Sequence, residues 1–224
     1  MSKKNNHLIV IGAGDHVKVV IATIEAEARY KIIGLLDNDE SKHGTTWYGH
    51  QVLGGDDQLA RLREQGVSKA VVAVGDNLGS AKLAQLAVKT GFELFKVIHP
   101  TAVILNGTVI GEGAVILANA YIGADSNIGS NVLLSVGSLV AHDCVIGSWC
   151  QLCPGARLGG HAMVGDYSLI GMGAAVLPGV TVGRQAVVGA NAAVIGEIQD
   201  FATAVGVPAR VISGARVGKP STNG

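Results

Sequence analysis

His142 and Asp143 stand side by side in the segment AHDCVIG, and no other histidine between residues 103 and 204 has a carboxylate next to it. A neutral imidazole takes up a proton near neutral pH, and an adjacent carboxylate can orient the ring and stabilise the imidazolium. The pair is therefore a candidate general base. A second constellation lies near the start, where HLIVIG runs into Gly12-Ala13-Gly14-Asp15-His16. A glycine-rich turn between a strand and a helix lets backbone N–H groups approach a phosphate. Asp37 follows at about the distance of a ribose-binding carboxylate, but the third glycine of a dinucleotide fingerprint would be Val17 and no domain for hydride transfer follows. A nicotinamide enzyme is thus disfavoured.

Both candidates need a scaffold, and the one around His142 is legible. From Val103 to Ile198 the chain reads in sixteen consecutive hexads. The second residue of each is a branched aliphatic, from Ile104 and Ile110 through Val140 and Ile146 to Val194. The residue four further on is small in most hexads (Ala114, Ala120, Ser126, Ser138, Cys144, Ala156, Ser168, Ala174). Such a period suits neither a helix nor a continuous strand. It predicts short strands joined by tight corners, three hexads closing one triangular coil, with the aliphatic inward. The residue after the aliphatic is Gly in nine hexads, which predicts that Gly serves a corner with positive φ. Pro154 and Pro178 share the fourth hexad position and so belong to corners.

The repeats also bear on metals and thiols. Cys150 and Cys153 spell C-x-x-C, yet no second pair exists for zinc, and Cys150 occupies a small-residue position, as Cys144 does. All three cysteines are predicted to be packing residues. A zinc hydratase on such a solenoid needs three His ligands, and residues 103–204 hold two, His142 and His161. No metal is expected.

In front of the repeats, strands and helices alternate. HLIVIG, KIIGLLD and KAVVAVG read as strands; DHVKVVIATIEAEARY, DDQLARLREQG and LGSAKLAQLAVKTG read as helices, with Asp15 placed to cap the first. The pattern predicts a small parallel sheet of Rossmann-like α/β type. Ligands of such sheets bind at the carboxyl ends of the strands, so the loops Gly12–His16, Asp37–Asp39 and Gly75–Asn77 should line one crevice. The expected domains are 1–97, 98–212 and a flexible tail over 213–224. Seventeen acidic residues balance seventeen basic ones without a basic block, which argues against nucleic acid. No apolar run reaches membrane-spanning length, and MSKKNNHLIVIG opens directly into a strand, so a cytoplasmic protein is expected.

GAGDHVKVV at Gly12–Val20, LLDND at Leu35–Asp39, IHPTA at Ile98–Ala102, HDCVIG at His142–Gly147 and VGVPARVI at Val205–Ile212 carry a closer likeness. With the hexads, the chain resembles the hexapeptide-repeat sugar-nucleotide N-acetyltransferases of bacterial glycan synthesis, relatives of the sialic acid O-acetyltransferases. The resemblance implies a left-handed parallel β-helix after the α/β domain, a homotrimer, and acetyl-CoA as co-substrate held between adjacent solenoids. It implies that Gly14 and His16 lie near the phosphates of the acceptor nucleotide, Asp37 and Asn38 near its base or ribose, and Gly75 and Asn77 on the far wall.

The implied acceptor is a nucleotide-linked amino-deoxy sugar, with a UDP-4-amino-4,6-dideoxy sugar first and GDP or dTDP as alternatives, for lipopolysaccharide or O-antigen. His142 would take the proton of the attacking amine, with Asp143 orienting the ring and backbone N–H groups at the corners serving the thioester oxygen. Gly155 and Gly173 mark places where the backbone could approach the pantetheine arm. Three positions depart from the family pattern. Asp15 replaces a usual Gly, Ser135 a frequent Asn, and Gln151 a frequent His that would contact the acetyl carbonyl or sugar. Competing readings are an O-acetyltransferase acting on sialic acid and a non-enzymatic hexapeptide-repeat assembly module.

Overall fold

A computed structural model describes residues 6–212. The tail expected over 213–224 lies outside the described residues. The described chain forms two compact units, residues 6–100 with 112–117, and residues 101–111 with 118–212.

The first unit is built on a parallel sheet of β1 (His7–Ile11), β2 (Lys31–Leu36), β3 (Lys69–Val72) and β4 (Glu93–Leu94), in the order β2-β1-β3-β4. Leu8, Ile9, Val10 and Ile11 are all buried, so β1 is covered on both faces, as its unbroken apolar run requires. Helix α1 (Val17–Glu27) buries Val17, Val20, Ile21 and Ile24, one face at helical spacing. Helices α2 (Leu59–Glu64) and α3 (Asn77–Lys89) follow, and Leu59, Leu62 and Ala87 join Ile9, Ile11 and Phe92 in the core. Asp76 caps α3, its carboxylate accepting the N–H of Gly79. The cap expected of Asp15 is absent. The residue preceding α1 is His16, in helical conformation and without a side-chain cap bond, so Asp15 lies one step too early to reach the orphan N–H groups. Its carboxylate instead pairs with Lys18 at 2.8 Å, 91% exposed.

All sixteen expected hexad strands are present, two residues each from Val103–Ile104 to Ala193–Val194; fifteen lie in the second unit and Val115–Ile116 in the first. In the second unit the strands up to Ala175–Val176 pair in parallel with residues eighteen further on, as in Tyr121↔Leu139 and Val145↔Met163. The interval shortens at the end, where Val187 pairs with Thr203. The first wall carries the strands at 103, 121, 139, 157, 175 and 193. The second carries those at 109, 127, 145, 163 and 181. The third runs through those at 133, 151, 169 and 187 to Thr203–Val205, closed by antiparallel Arg210–Ile212. The aliphatics from Ile122 to Val194 are buried, each contributing roughly 2 kcal/mol of transfer free energy.

The glycines after the aliphatics have a different reason from the one expected. None of the nine has a positive φ. Eight of them are needed because the next coil's backbone is too close for a side chain, as at Gly123, where a Cβ would sit 2.6 Å from the carbonyl carbon of Ala141; at Gly189 the Val205 side chain fills the space. The left-handed residue is the fifth of the hexad, in fifteen of the sixteen. Pro154 and Pro178 lie at corners, as expected.

Candidate active site

The corner after the first wall repeats every eighteen residues, so His142 and Asp143 stand one coil before Gly160 and His161. Asp143 (φ 57°) and His161 (φ 59°) both hold the left-handed fifth position, where Asp and His are tolerated better than most residues. The His161 N–H donates to the His142 carbonyl at 3.0 Å, locking the two coils in register. Asp143 Oδ2 lies 2.7 Å from His142 Nδ1 and 3.8 Å from His161 Nε2, so one carboxylate stands between two imidazoles. The rings meet edge to face at 5.1 Å. A carboxylate only accepts, so Nδ1 of neutral His142 carries the proton and Nε2 keeps the lone pair. His142 is 61% and Asp143 44% exposed, open to a substrate.

Gly160 completes the corner. A Cβ there would sit 2.7 Å from both Cε1 and Nε2 of His142, so the ring lies against this residue and any side chain would displace it. Sequence reasoning missed Gly160, although its place eighteen residues after His142 was available as a signal. His161, counted in the sequence only against a zinc site, is grouped by the structure with Asp143. His142, Asp143 and His161 bring three potential ligand atoms within 4.8 Å of one another, an exposed cluster able to hold a metal ion.

The remaining solenoid candidates stand elsewhere. Gln151 starts a strand of the third wall, opposite this corner in the triangular section. Gly155 and Gly173, both at φ +68°, stack at the corner after the third wall. A single chain therefore does not gather them around His142. Ser135 is buried in the third wall. The cysteines are packing residues: Cys144 and Cys150 are buried, and burial pushes the Cys150 thiol up to about 12 and raises those of Cys144 and Cys153.

In the α/β unit a cavity of about 230 Å³ opens at the carboxyl ends of the strands, lined by Ile11, Gly12, Leu36, Asp37, Asn38, Asp56, Val74 and Leu83. Gly12 (φ +119°) lies so close to β3 that a Cβ would meet the Ala73 carbonyl at 2.7 Å. Of the expected residues Asp37 and Asn38 line the cavity; Gly14, Asp15, His16, Gly75 and Asn77 do not. Burial opposes ionisation of Asp37, but the N–H groups of Asp39 and Ala13, with Lys42, outweigh it and hold its carboxyl below the usual range. Its oxygens accept Ala13 N–H at 2.7 Å and Asp39 N–H at 2.9 Å, so Asp37 clasps the two loops together. His16 is half-buried, and burial pushes its imidazole down toward the neutral form. Gly14 and Gly75 have open space where a Cβ would stand. Asp56 was not anticipated; no repeat in this unit ties it to Asn38.

Comparison with known proteins follows the same division. The PglD N-terminal domain family matches residues 7–85. GDP-perosamine N-acetyltransferase from Caulobacter crescentus, solved as a histidine-to-alanine mutant with CoA and GDP-perosamine, is 38% identical. It superposes with a TM-score of 0.89 over 93% of this chain and 97% of that one. The acetyltransferase domain of PglB from Neisseria gonorrhoeae FA1090, solved with acetyl coenzyme A, is 34% identical with a TM-score of 0.88, covering 93% of this chain and 100% of that one. UDP-N-acetylbacillosamine N-acetyltransferase of Bacillus subtilis (strain 168) is 34% identical over 115 residues, 50% of this chain. The match spans about half of that relative, 51% of its length.

Proposed function

Because the chain belongs to the sugar-nucleotide N-acetyltransferases that join a PglD-type domain to a left-handed parallel β-helix, we propose that it acetylates the amino group of a nucleotide-linked amino-deoxy sugar, with acetyl-CoA as donor. The observation that carries this reading is the His142–Asp143 hydrogen bond, which leaves Nε2 as an exposed proton acceptor. As the sugar nitrogen attacks the thioester carbon, Nε2 takes the amine proton and Asp143 stabilises the imidazolium. The tetrahedral intermediate collapses with loss of the CoA thiolate, which recovers a proton from the imidazolium. The developing oxyanion needs a donor, and the Gly160 N–H has no acceptor among the described residues.

The α/β cavity would hold the nucleotide, with Gly14, His16, Gly75 and Asn77 at its approaches. Gln151, Gly155 and Gly173 would serve acetyl-CoA from a neighbouring copy. Their place away from the His142 corner supports a homotrimer in which each site takes residues from two chains. Acetyl-CoA and a nucleotide sugar as substrates would suit a cytoplasmic protein that feeds surface-glycan synthesis.

The decisive experiment measures thiol release from acetyl-CoA over a panel of nucleotide-linked amino sugars and their hydroxyl counterparts. Turnover is expected with the amines alone. Turnover with hydroxyl acceptors only, or with none, would overturn the reading. Sedimentation should show the active species as a trimer; an active monomer would remove the shared site.

A further inference from the structure

The polar rim of the α/β cavity is unusual in being paired internally. The Asn38 side-chain N–H donates to Asp56 Oδ2 at 3.1 Å, while the Asp56 backbone N–H donates to Asn38 Oδ1 at 2.9 Å. The clasp is closed on its inner side: Gly55 lies so near that a Cβ there would meet Asn38 Oδ1 at 2.7 Å. Both residues nevertheless line the cavity. What they retain is one amide hydrogen on Asn38, a second lone pair on Asp56 Oδ2, and Asp56 Oδ1, which has no donor among the described residues. Read across the clasp, these are a donor, an acceptor and an acceptor. Ile11, Leu36, Val74 and Leu83 supply apolar walls around them, suited to a flat ring.

Resting on the proposed function, we infer that the Asn38–Asp56 clasp reads the nucleobase and selects guanine, so that the acceptor is a GDP-linked sugar. The Watson–Crick edge of guanine presents an acceptor (O6) and two donors (N1–H and N2–H), the complement of the clasp. Uracil and thymine present acceptor, donor, acceptor, and their O2 would face Asp56 Oδ1, two acceptors opposed with no proton between them. This departs from the UDP acceptor put first by the sequence. A carboxylate taking two N–H groups is a charge-assisted bidentate pair, and such pairs discriminate strongly between bases.

The test is calorimetric titration of the whole protein with GDP, inosine diphosphate, UDP and dTDP. GDP is expected to bind at least tenfold tighter than UDP or dTDP. Inosine diphosphate, which lacks only the N2 amino group, should bind about tenfold weaker than GDP. Asp56→Asn should erase the gap between GDP and inosine diphosphate without weakening UDP. UDP binding as tightly as GDP, equal binding of GDP and inosine diphosphate, or equal weakening of GDP and UDP by Asp56→Asn would each overturn the base assignment. None of the three bears on acetyl transfer by the unaltered protein in the thiol assay. Failure of every nucleotide to bind would instead strike the proposed function.

Discussion

Two corners of the solenoid share one backbone and differ in what their polar side chains bind. At the corner after the second wall, three fourth-position N–H groups are taken by side chains of the following coil. Ser130 N–H donates to Ser148 Oγ at 3.2 Å, Ser148 N–H to Asp166 Oδ1 at 2.7 Å, and Arg184 N–H to Asp200 Oδ1 at 2.8 Å. Trp149 stacks on Tyr167, their rings 10° from parallel. That corner carries side-chain bonds at three of its coils. At the corner after the first wall the carboxylate turns instead to two histidines, and Gly160 offers the preceding coil no side chain at all. Reactivity in a repeat protein lies where the ladder of side-chain bonds is interrupted.

The largest effect should come from removing the base. His142→Ala is expected to lower kcat by 10²–10⁴-fold with both KM values within a few-fold. Retention of most of kcat would move the chemistry to His161. Next comes Gly160→Ala, which leaves every catalytic group in place but pushes the ring aside. A loss of about 10² in kcat with unchanged melting would match a displacement near 1 Å.

Asp143→Asn should be milder, about tenfold in kcat, because a base remains after its orientation is weakened. At the satisfied corner the sign of the comparison reverses. Asp166→Ala should cost about 0.5–1 kcal/mol of stability, a fall of about 1–4 °C in Tm, and leave kcat alone. A kinetic defect there would erase the distinction between the corners. Smallest of all, Asp15→Ala should leave Tm and nucleotide affinity essentially unmoved, since its partner Lys18 is an exposed surface contact.

How far the sequence carried the structure follows from what each signal encodes. A period of six determines which side chains point inward, so all sixteen strands were legible. A glycine reports only that no Cβ fits. It does not say whether torsion or a close neighbour forbids one, and the nine corner glycines were assigned to torsion when the next coil was the cause. His142 and Asp143 were legible because they are adjacent. His161 and Gly160 become neighbours of that pair only through the eighteen-residue coil, which the hexads already implied. Asn38 and Asp56 also lie eighteen apart, by coincidence, in a unit with no period to bring them together.

Pairing of i with i+18 around His142 sets how such a chain can change length. Removing one hexad ahead of His142 would keep every aliphatic in phase with the core, so nothing in the burial pattern would resist it. All downstream residues would nonetheless rotate by a third of a turn, carrying His142 to a different edge of the prism. Removal of three hexads would restore the rotation and shorten the axis by one layer. Length can therefore drift by whole coils without disturbing the azimuth of the chemistry, whereas single-hexad changes are silent to the core and ruinous to the site.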